Sequence, residues 1–218
     1  MVGLFITFEG PDGAGKTTQL CMLADKLTKL GHQVVCTREP GGTHISDKIR
    51  ELLLDPDNRE MHARAEALLY AAARAQHVAE IIRPALLNGQ VVLCDRFIDS
   101  SLAYQGWGRG LDLEVLLTIN KFASEELNPD LTILLDVNPT VGNVRMSARC
   151  GEHRDRIEQE DCDFQERVCN GFRELARIHS ARIVHIDASR PVNNIHEAIW
   201  IQIERLLTKP RGGHAGEN

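Results

Sequence analysis

The chain has 218 residues, a formal net charge of −6 and 43% hydrophobic residues. This length and apolar content are sufficient for one or two domains with a buried core. The acidic balance argues against a broad nucleic-acid-binding surface, which needs an excess of lysine and arginine. No apolar run reaches the ~18 residues of a membrane-spanning helix, and the first strand follows Met1 too closely for a signal peptide.

The first predicted strand, Leu4–Glu9, leads into a phosphate-binding sequence. Residues Gly10–Thr17 read GPDGAGKT and fit the P-loop pattern G-x-x-x-x-G-K-[ST]. Apolar residues at helical spacing then predict a helix over Lys16–Lys29. A strand, a glycine-rich turn and a helix in this order aim backbone N–H groups at an anion, which argues against a chance match. The predicted ATP-binding residues are Gly10, Pro11, Asp12, Gly13, Ala14, Gly15, Lys16, Thr17 and Thr18.

Strand-like and helical segments alternate over the rest of the chain. The further predicted strands are Gln33–Arg38, Gln90–Asp95, Leu131–Asp136 and Ile183–Asp187. The further predicted helices are His44–Leu54, Ala63–Asn88, Asp112–Glu126, Pro139–Arg149, Asp163–Ser180 and Val192–Thr208. We expect Pro84 to kink or divide the helix that contains it. The alternation predicts an α/β three-layer P-loop fold, in which helices flank a five-stranded parallel sheet and ligands bind at its carboxyl edge.

The sequence predicts a single P-loop domain over residues 1–210 and a flexible, glycine-rich tail over residues 211–218. The six cysteines form no C-x-x-C pair, which argues against a zinc knuckle. Reduced, packed thiols are the default for Cys21, Cys36 and Cys94, and the cytoplasm is the compartment that fits them.

The second and third predicted strands end in residues suited to binding phosphate. Arg38 lies in the run TREPGGT, where a guanidinium on a tightly turned backbone suits a terminal phosphate. By itself Arg38 is equally consistent with an exposed arginine before a turn. Asp95 and Arg96 end the third strand, where the carboxylate could hold Mg²⁺ together with the Thr17 hydroxyl. The alternative for this pair is a salt bridge at the strand end.

The long predicted helix carries Tyr70 and Arg74 four residues apart, so that both lie on one face. An aromatic ring beside a guanidinium could stack on a nucleotide base and bond its edge. From these residues alone, however, an aromatic ring among leucines and isoleucines is more often part of the core, and we favour that interpretation at this point.

A dense run of mixed charge joins two predicted helices, with a candidate lid at about residues 149–161. Its arginines are Arg145, Arg149, Arg154 and Arg156, and they alternate with aspartate and glutamate. One interpretation is a solvated loop with weak ion pairs. The other is a lid that closes over a triphosphate and supplies an arginine to the charge developing during phosphoryl transfer.

Four sequence runs in this order resemble the thymidylate kinase family, from Phe5 to about Ile199. They are FEGPDGAGKTT, TREPGGT, the Asp95-Arg96 pair followed by SSLAYQG, and DRIE at Asp155–Glu158. The resemblance implies phosphorylation of dTMP to dTDP with MgATP, in the biosynthesis of dTTP. It also implies a homodimer, a cis Glu39–Pro40 peptide, and small-molecule substrates without nucleic acid or membrane as partners.

The resemblance assigns dTMP-binding roles to Asp12, Arg38, Tyr70, Arg74, Arg96, Ser101, Tyr104 and Gln105. Asp12 matches a residue that bonds the sugar 3′-hydroxyl, and Arg38 and Arg96 match the clamp on the acceptor phosphate. Tyr70 stands where the family usually has a phenylalanine that stacks on thymine. The remaining four match residues that bond or line the base and sugar.

Gly13 stands where one branch of the family carries a P-loop arginine, so the chain resembles the bacterial branch, whose arginine comes from the lid. The predicted catalytic residues are therefore Lys16, Arg96 and a lid arginine. Arg149 is our first choice for that arginine, Arg156 the second and Arg154 the third. Thr17 and Asp95 are the expected Mg²⁺ ligands.

Three alternatives stay open on the sequence. Another P-loop kinase would act on a different small acceptor. A nucleotide-switch ATPase would signal through a protein contact, against which the acceptor arginines Arg38 and Arg96 argue. A binding protein with a vestigial P-loop is disfavoured by the intact Lys16, Thr17 and Asp95.

Overall fold

A computed structural model describes residues 3–150 and 154–208, leaving out the side chains of residue 143 and of residues 146–150. Within these ranges the chain has one five-stranded sheet with the order β2-β3-β1-β4-β5, and each adjacent pair is parallel. The strands are β1 (Leu4–Glu9), β2 (Val34–Arg38), β3 (Val91–Asp95), β4 (Leu131–Asp136) and β5 (Ile183–Asp187). The predicted α/β fold with a parallel sheet is therefore confirmed.

The α-helices of the described residues are α1 (Lys16–Lys29), α2 (His44–Leu54), α3 (Ala63–His77), α4 (Arg83–Leu87), α5 (Ile98–Ser101), α6 (Leu113–Ser124), α7 (Pro139–Cys150), α8 (Cys162–Ile178) and α9 (Val192–Thr208). Capping side chains begin several of them. Thr43, Asp112 and Asp161 each accept a bond from a backbone N–H in the first turn of α2, α6 and α8. None of the described helices is long and apolar enough to cross a membrane.

Helices cover both faces of the sheet because its central strands are apolar on both sides. Side chains of β1 alternate between the faces. Ile6 and Phe8 pack in a cluster with α1 and α9, whereas Phe5 packs with the segment around Ile82 on the other face. A third cluster joins α8, α6 and the chain after α5. The layered core thus leaves the carboxyl ends of the strands free for a site.

The helix predicted over Ala63–Asn88 is divided, as Pro84 led us to expect. A π-helical segment, Val78–Ile82, separates α3 from α4, and the N–H of Arg83 donates to the carbonyl of Val78 five residues back. Proline lacks the N–H that an α-helix needs, and its ring crowds the carbonyl four residues earlier. The wider helical turn just before Pro84 accommodates both effects.

A helical stretch after β3 was not predicted from the sequence. It consists of α5 and a second π-helical segment, Leu102–Gly108. Two glycines and two aromatic residues in the run AYQGWG weaken the helical pattern, because glycine is a poor helix former and aromatic residues are weaker ones than alanine or leucine. Tertiary packing compensates: Gly106 lies against Leu113, and Gly108 lies against Phe164, where a Cβ atom would approach within 2.7 Å.

Candidate active site

One cavity of about 500 Å³ opens where β1, β2 and β3 end. The loop from Asp12 to Thr18 forms one wall, and side chains from α3, α5 and the following π-helical segment form the opposite wall. Its size and its mixture of apolar walls with a few charged groups are typical of a site for a nucleotide-sized ligand.

The backbone of the P-loop requires glycine at two places. Gly10 has φ +132°, and a Cβ atom there would lie 2.2 Å from the carbonyl oxygen of Leu135. Gly13 has φ +75°, and its Cβ atom would lie 2.3 Å from the carbonyl oxygen of Gly142. Only glycine combines this backbone conformation with such close contacts. The loop delivers Lys16 at the first position of α1, whose positive end favours an anion.

Lys16 is buried and bonded to the loop itself. Its Nζ donates to the carbonyl oxygens of Gly10 and Pro11 at 3.1 and 2.9 Å. Burial lowers the pKa of this ammonium to about 8, and the positive charge of Arg96 acts in the same direction. An entering phosphate would replace the two carbonyls and restore the preference for the charged form.

Thr17 and Asp95, the predicted metal ligands, are in direct contact. The Thr17 hydroxyl donates to Asp95 Oδ2 at 2.7 Å across the start of α1 and the end of β3. The described residues contain no cluster of three or more histidine, cysteine or acidic side chains able to hold a metal by themselves. One hydroxyl and one carboxylate fit Mg²⁺, which usually completes its shell with water and phosphate oxygens.

Arg96 is the central cation of the site. Its Nη1 donates to Gly10 O at 3.0 Å, and its Nη2 contacts Asp12 Oδ1 at 2.5 Å. Its backbone has φ +74°, an uncommon conformation for a residue other than glycine that is frequent at functional sites. The tyrosine hydroxyl of Tyr104 donates to the other oxygen of Asp12 at 3.0 Å.

Asp12 stays ionised in this cluster. Burial alone would raise the pKa of its carboxyl group, but the charges of Arg96 and Lys16 outweigh that effect and hold the pKa below its usual value. The P-loop therefore presents a fixed carboxylate, as well as cations, to the cavity. A carboxylate beside an anion-binding loop is suited to accepting a hydrogen bond from a ligand hydroxyl.

Arg38 lies at the outer rim of the cavity. Its side chain is exposed and pairs with Asp47 at 3.2 Å. The Glu39–Pro40 peptide that follows is cis, as expected. Arg50 on α2 donates to Pro40 O at 2.9 Å and lines the same cavity. Arg50 was missed by sequence reasoning, because an arginine in the middle of a helix carries no local signal of a site.

Tyr70 and Arg74 both line the cavity, so the core interpretation of Tyr70 is wrong. Tyr70 is half-buried and belongs to none of the three hydrophobic clusters. Burial raises the pKa of its phenol well above its usual value, so the ring carries a neutral hydroxyl. Its position opposite the P-loop suits stacking on a planar ligand.

Arg74 is a buried hub in this structure. Each of its guanidinium nitrogens has a protein acceptor. Nε and Nη2 both contact the Glu39 carboxylate, and Nη2 also donates to Phe97 O. Nη1 donates to Ser101 and Asn120. A bond from Arg74 to a ligand would require exchange of one of these partners. Ser101, held at 3.0 Å by Arg74, and Gln105 also line the cavity.

Arg156 does not line the main cavity in the described conformation, and its expected catalytic role stays a prediction that these contacts do not favour. Its Nη1 pairs with buried Glu66 at 2.7 Å, and its Nε donates to Leu53 O at 2.9 Å. Its guanidinium is absent from the lining of the main cavity, which includes Asp155 and Glu158 from the same segment. The contacts with Glu66 and Leu53 therefore hold the Arg156 guanidinium away from the P-loop.

Arg149 and Arg145, two other arginines of the charged run, differ from Arg156 in what the structure describes of them. The side chain of Arg149 lies outside the described part of the structure, as do residues 151–153 of the predicted lid and the tail at 211–218. Arg145 on α7 lines the cavity and donates to Ala188 O at 3.0 Å. Arg190, after β5, also lines it and was missed, although its place beyond a strand end is the position that parallel sheets favour for ligands.

Known proteins resemble this chain over nearly its whole length. A family model described as thymidylate kinase matches residues 8–199. The thymidylate kinase of Exiguobacterium sp. (strain AT1b) is 51% identical over 207 residues, covering 94% of this chain and 97% of that protein. That of Lactobacillus helveticus is 49% identical and covers 95% and 98%. The crystal structure of thymidylate kinase from Ehrlichia chaffeensis aligns with a TM-score of 0.77 at 33% identity, covering 94% of this chain and 99% of that one.

Proposed function

This chain belongs to the thymidylate kinase family, and on that premise we propose that it transfers the γ-phosphoryl group of ATP to dTMP. The products are ADP and dTDP, a step in the biosynthesis of dTTP. One observation carries the proposal: a single cavity joins an intact P-loop to a second wall with Tyr70, Ser101 and Gln105, which suits a nucleotide acceptor.

The donor side of the reaction uses the P-loop. Residues 10–18 would wrap the phosphates of ATP with backbone N–H groups, and Lys16 would move from its two carbonyl partners to the β- and γ-phosphates. Thr17 and Asp95 would hold Mg²⁺, which when bound neutralises charge on the phosphate oxygens.

The acceptor side needs alignment rather than a strong base. A phosphate monoester loses its second proton with a pKa of about 6, so the attacking oxygen of dTMP is largely ionised at neutral pH. Arg96 would clamp that phosphate beside the P-loop, with Arg38 and Arg50 on its outer side. Positioning and charge neutralisation then supply the rate enhancement.

The remaining contacts would select the nucleoside. Asp12 would accept a bond from the sugar 3′-hydroxyl, with Tyr104 holding the carboxylate in place. Tyr70 would stack on thymine, while Ser101, Gln105 and Arg74 would read or support its edge. The alternative of another small acceptor is not favoured by any feature of this wall.

We assign the lid arginine to Arg149, at the end of α7. The lid about residues 149–161 would close over the triphosphate and bring this guanidinium to the transferring group. Two observations support this assignment: Arg156 is held by Glu66, and Gly13 leaves the P-loop without an arginine of its own.

A homodimer is the assembly we propose, formed through α3 and α6. These helices pack together and expose Leu68, Val115 and Phe122, which are 57%, 56% and 88% accessible. Apolar side chains this exposed and this close are typical of a protein interface. The small-molecule substrates, ATP and dTMP, also fit the cytoplasm, as do the five described cysteines, which are all free.

The direct test is to identify the product. Purified protein incubated with MgATP and dTMP is expected to give dTDP and ADP in equal amounts, as followed by ³¹P NMR. Lys16→Ala serves as the control, since it should abolish most of the transfer while leaving dTMP binding nearly intact. ADP formed without dTDP would refute the proposal.

A further inference from the structure

A second cavity, of about 350 Å³, lies apart from the nucleotide site. It shares no lining residue with the first cavity. It sits between the start of α3 and the segment before α8. Its walls are formed by Arg59, Met61, Ala63, Arg109, Arg156, Gln159 and Glu160.

Arg156 leaves one buried nitrogen unsatisfied at this cavity. Its side chain is 5% exposed, and its Nε and Nη1 are bound to Leu53 O and Glu66. Its Nη2 is buried and has no hydrogen-bond partner among the described residues. Buried polar groups are almost always satisfied, so a buried charged donor without a protein acceptor indicates a position where a bound group can supply one.

The charges around the cavity favour an anion. Arg109 and Arg156 share Glu66, and Arg109 also pairs with Glu160 at 2.5 Å. Arg59 contacts only neutral acceptors in the described structure, Pro56 O at 3.2 Å and Gln159 at 3.5 Å. Three guanidinium groups therefore face two carboxylates, which leaves one positive charge in excess.

The first turn of α3 adds to this positive field. Ala63 is the first residue of this 15-residue helix and lines the cavity, so the positive end of the helix dipole lies beside the arginines. Helix N-termini and arginine forks together are a common way to bind phosphate oxygens.

We propose that this second cavity binds a phosphate group, either inorganic phosphate or the phosphate of a small ester. Arg59 and the free Nη2 of Arg156 would donate to its oxygens. Arg109 would contribute charge from the opposite wall. Phosphate fits better than a carboxylate because it offers more acceptor oxygens to the donors of two separate arginines, Arg59 and Arg156, beside the charge of a third.

The site is connected to the nucleotide cavity through Glu66. Its Oε1 accepts from Gln105 at 2.8 Å, and Gln105 lines the first cavity. A phosphate that draws Arg109 and Arg156 toward itself loosens their hold on Glu66 and so on Gln105. We therefore expect bound phosphate to weaken dTMP binding, a consequence that rests on the proposed function, whereas phosphate binding itself does not.

The test uses phosphate titrations followed by calorimetry and thermal denaturation. Because the P-loop also binds phosphate, the titrations are run with dTMP and a non-transferable ATP analogue present. The variant Arg59→Gln is compared with Arg64→Gln, an exposed arginine of α3 that is outside the cavity. Sodium chloride at equal ionic strength controls for screening.

Wild type and Arg64→Gln are expected to bind phosphate equally, and Arg59→Gln about tenfold more weakly, the effect of one lost charge-assisted contact. Glycerol 3-phosphate as a second ligand distinguishes an ester from inorganic phosphate. Equal binding by all three proteins, or equal binding of acetate, would overturn the site. An unchanged dTMP KM with phosphate bound would overturn the coupling alone.

Discussion

At the scale of single residues, the site is a balance of buried charges. Lys16, at the start of α1, and Arg96, just after β3, are two neighbouring, largely buried cations, and Asp12 and Asp95 are the carboxylates that offset them. Lys16 donates to two carbonyls of the P-loop, and Arg96 bonds the carbonyl of Gly10 and the carboxylate of Asp12. A nucleotide would take over these contacts, so that binding exchanges partners rather than burying new unpaired charges.

The depressed pKa of Lys16 predicts proton uptake on ATP binding. Above pH 8 the free protein holds this amine largely neutral, and the phosphates favour its charged form. ATP affinity should therefore fall as the pH rises through about 8, with uptake of up to one proton. Calorimetry in buffers of different ionisation enthalpy measures this uptake, and Lys16→Met should abolish it. No uptake at pH 8.5 in the wild type would contradict the assigned role.

Mutation of Arg74 is expected to lower both the stability of the protein and its selectivity for the base. Arg74→Ala would leave Glu39 without its guanidinium partner in a buried site, which typically costs about 3–5 kcal/mol. It should also weaken discrimination between dTMP and dCMP, because Ser101 loses its support. Ser101→Ala is the milder comparison, expected to change base selectivity with little loss of stability. Unchanged selectivity in both variants, measured as kcat/KM ratios, would remove these residues from the base site.

At the scale of elements, the strands and long helices could be predicted from the sequence because burial and periodicity coincide there. The five strands are short apolar runs, and the boundaries of β2 and β3 differ from the prediction by one residue. Helix α5 and the following π-helical segment could not be predicted, since glycine and aromatic residues there pack against α6 and α8 rather than follow a local pattern. Packing between distant elements, not propensity, makes that segment helical.

Site residues could be predicted from the sequence where they belong to a recognisable motif or follow the end of a predicted strand. The P-loop, Asp95, Arg96 and the Tyr70 wall all meet in one cavity. Arg156 could not be placed, because its partner Glu66 is 90 residues away in the sequence and nothing local indicates the pair. Charge patterns identify a lid segment, but only the fold decides which of its arginines face inward.

Mutation of the two lid arginines is expected to have different effects: loss of Arg156 should lower stability, and loss of Arg149 should lower the catalytic rate. Arg156→Ala removes one buried ion pair of Glu66. Because Glu66 remains bonded to Arg109 and Gln105, we expect the free energy of unfolding to fall by only about 1–3 kcal/mol. Arg149→Ala should leave stability unchanged and lower kcat by on the order of 10³-fold. Urea unfolding and steady-state rates measure the two effects. The reverse pattern would exchange the roles of these arginines.

At the scale of the whole molecule, the exposed apolar surface of α3 and α6 predicts self-association. Phe122→Glu should raise the dimer dissociation constant by on the order of 100-fold or more, since a two-fold interface loses the ring twice at about 1.5–3 kcal/mol each. Leu87→Glu, on α4, is the control, because it is equally exposed but lies outside this surface. Sedimentation velocity over a concentration series measures the change. A wild type that stays monomeric at all concentrations would contradict the homodimer.

The central claim is that one cavity joins ATP to a thymine nucleotide, and acceptor selectivity tests it most directly. ADP release from MgATP is measured with dTMP, dUMP, dCMP, dGMP, AMP and UMP as separate acceptors. We predict turnover chiefly with dTMP. Turnover chiefly with another monophosphate would contradict the thymine-reading wall, and ADP release that is indifferent to every acceptor would contradict a kinase acting on nucleotides.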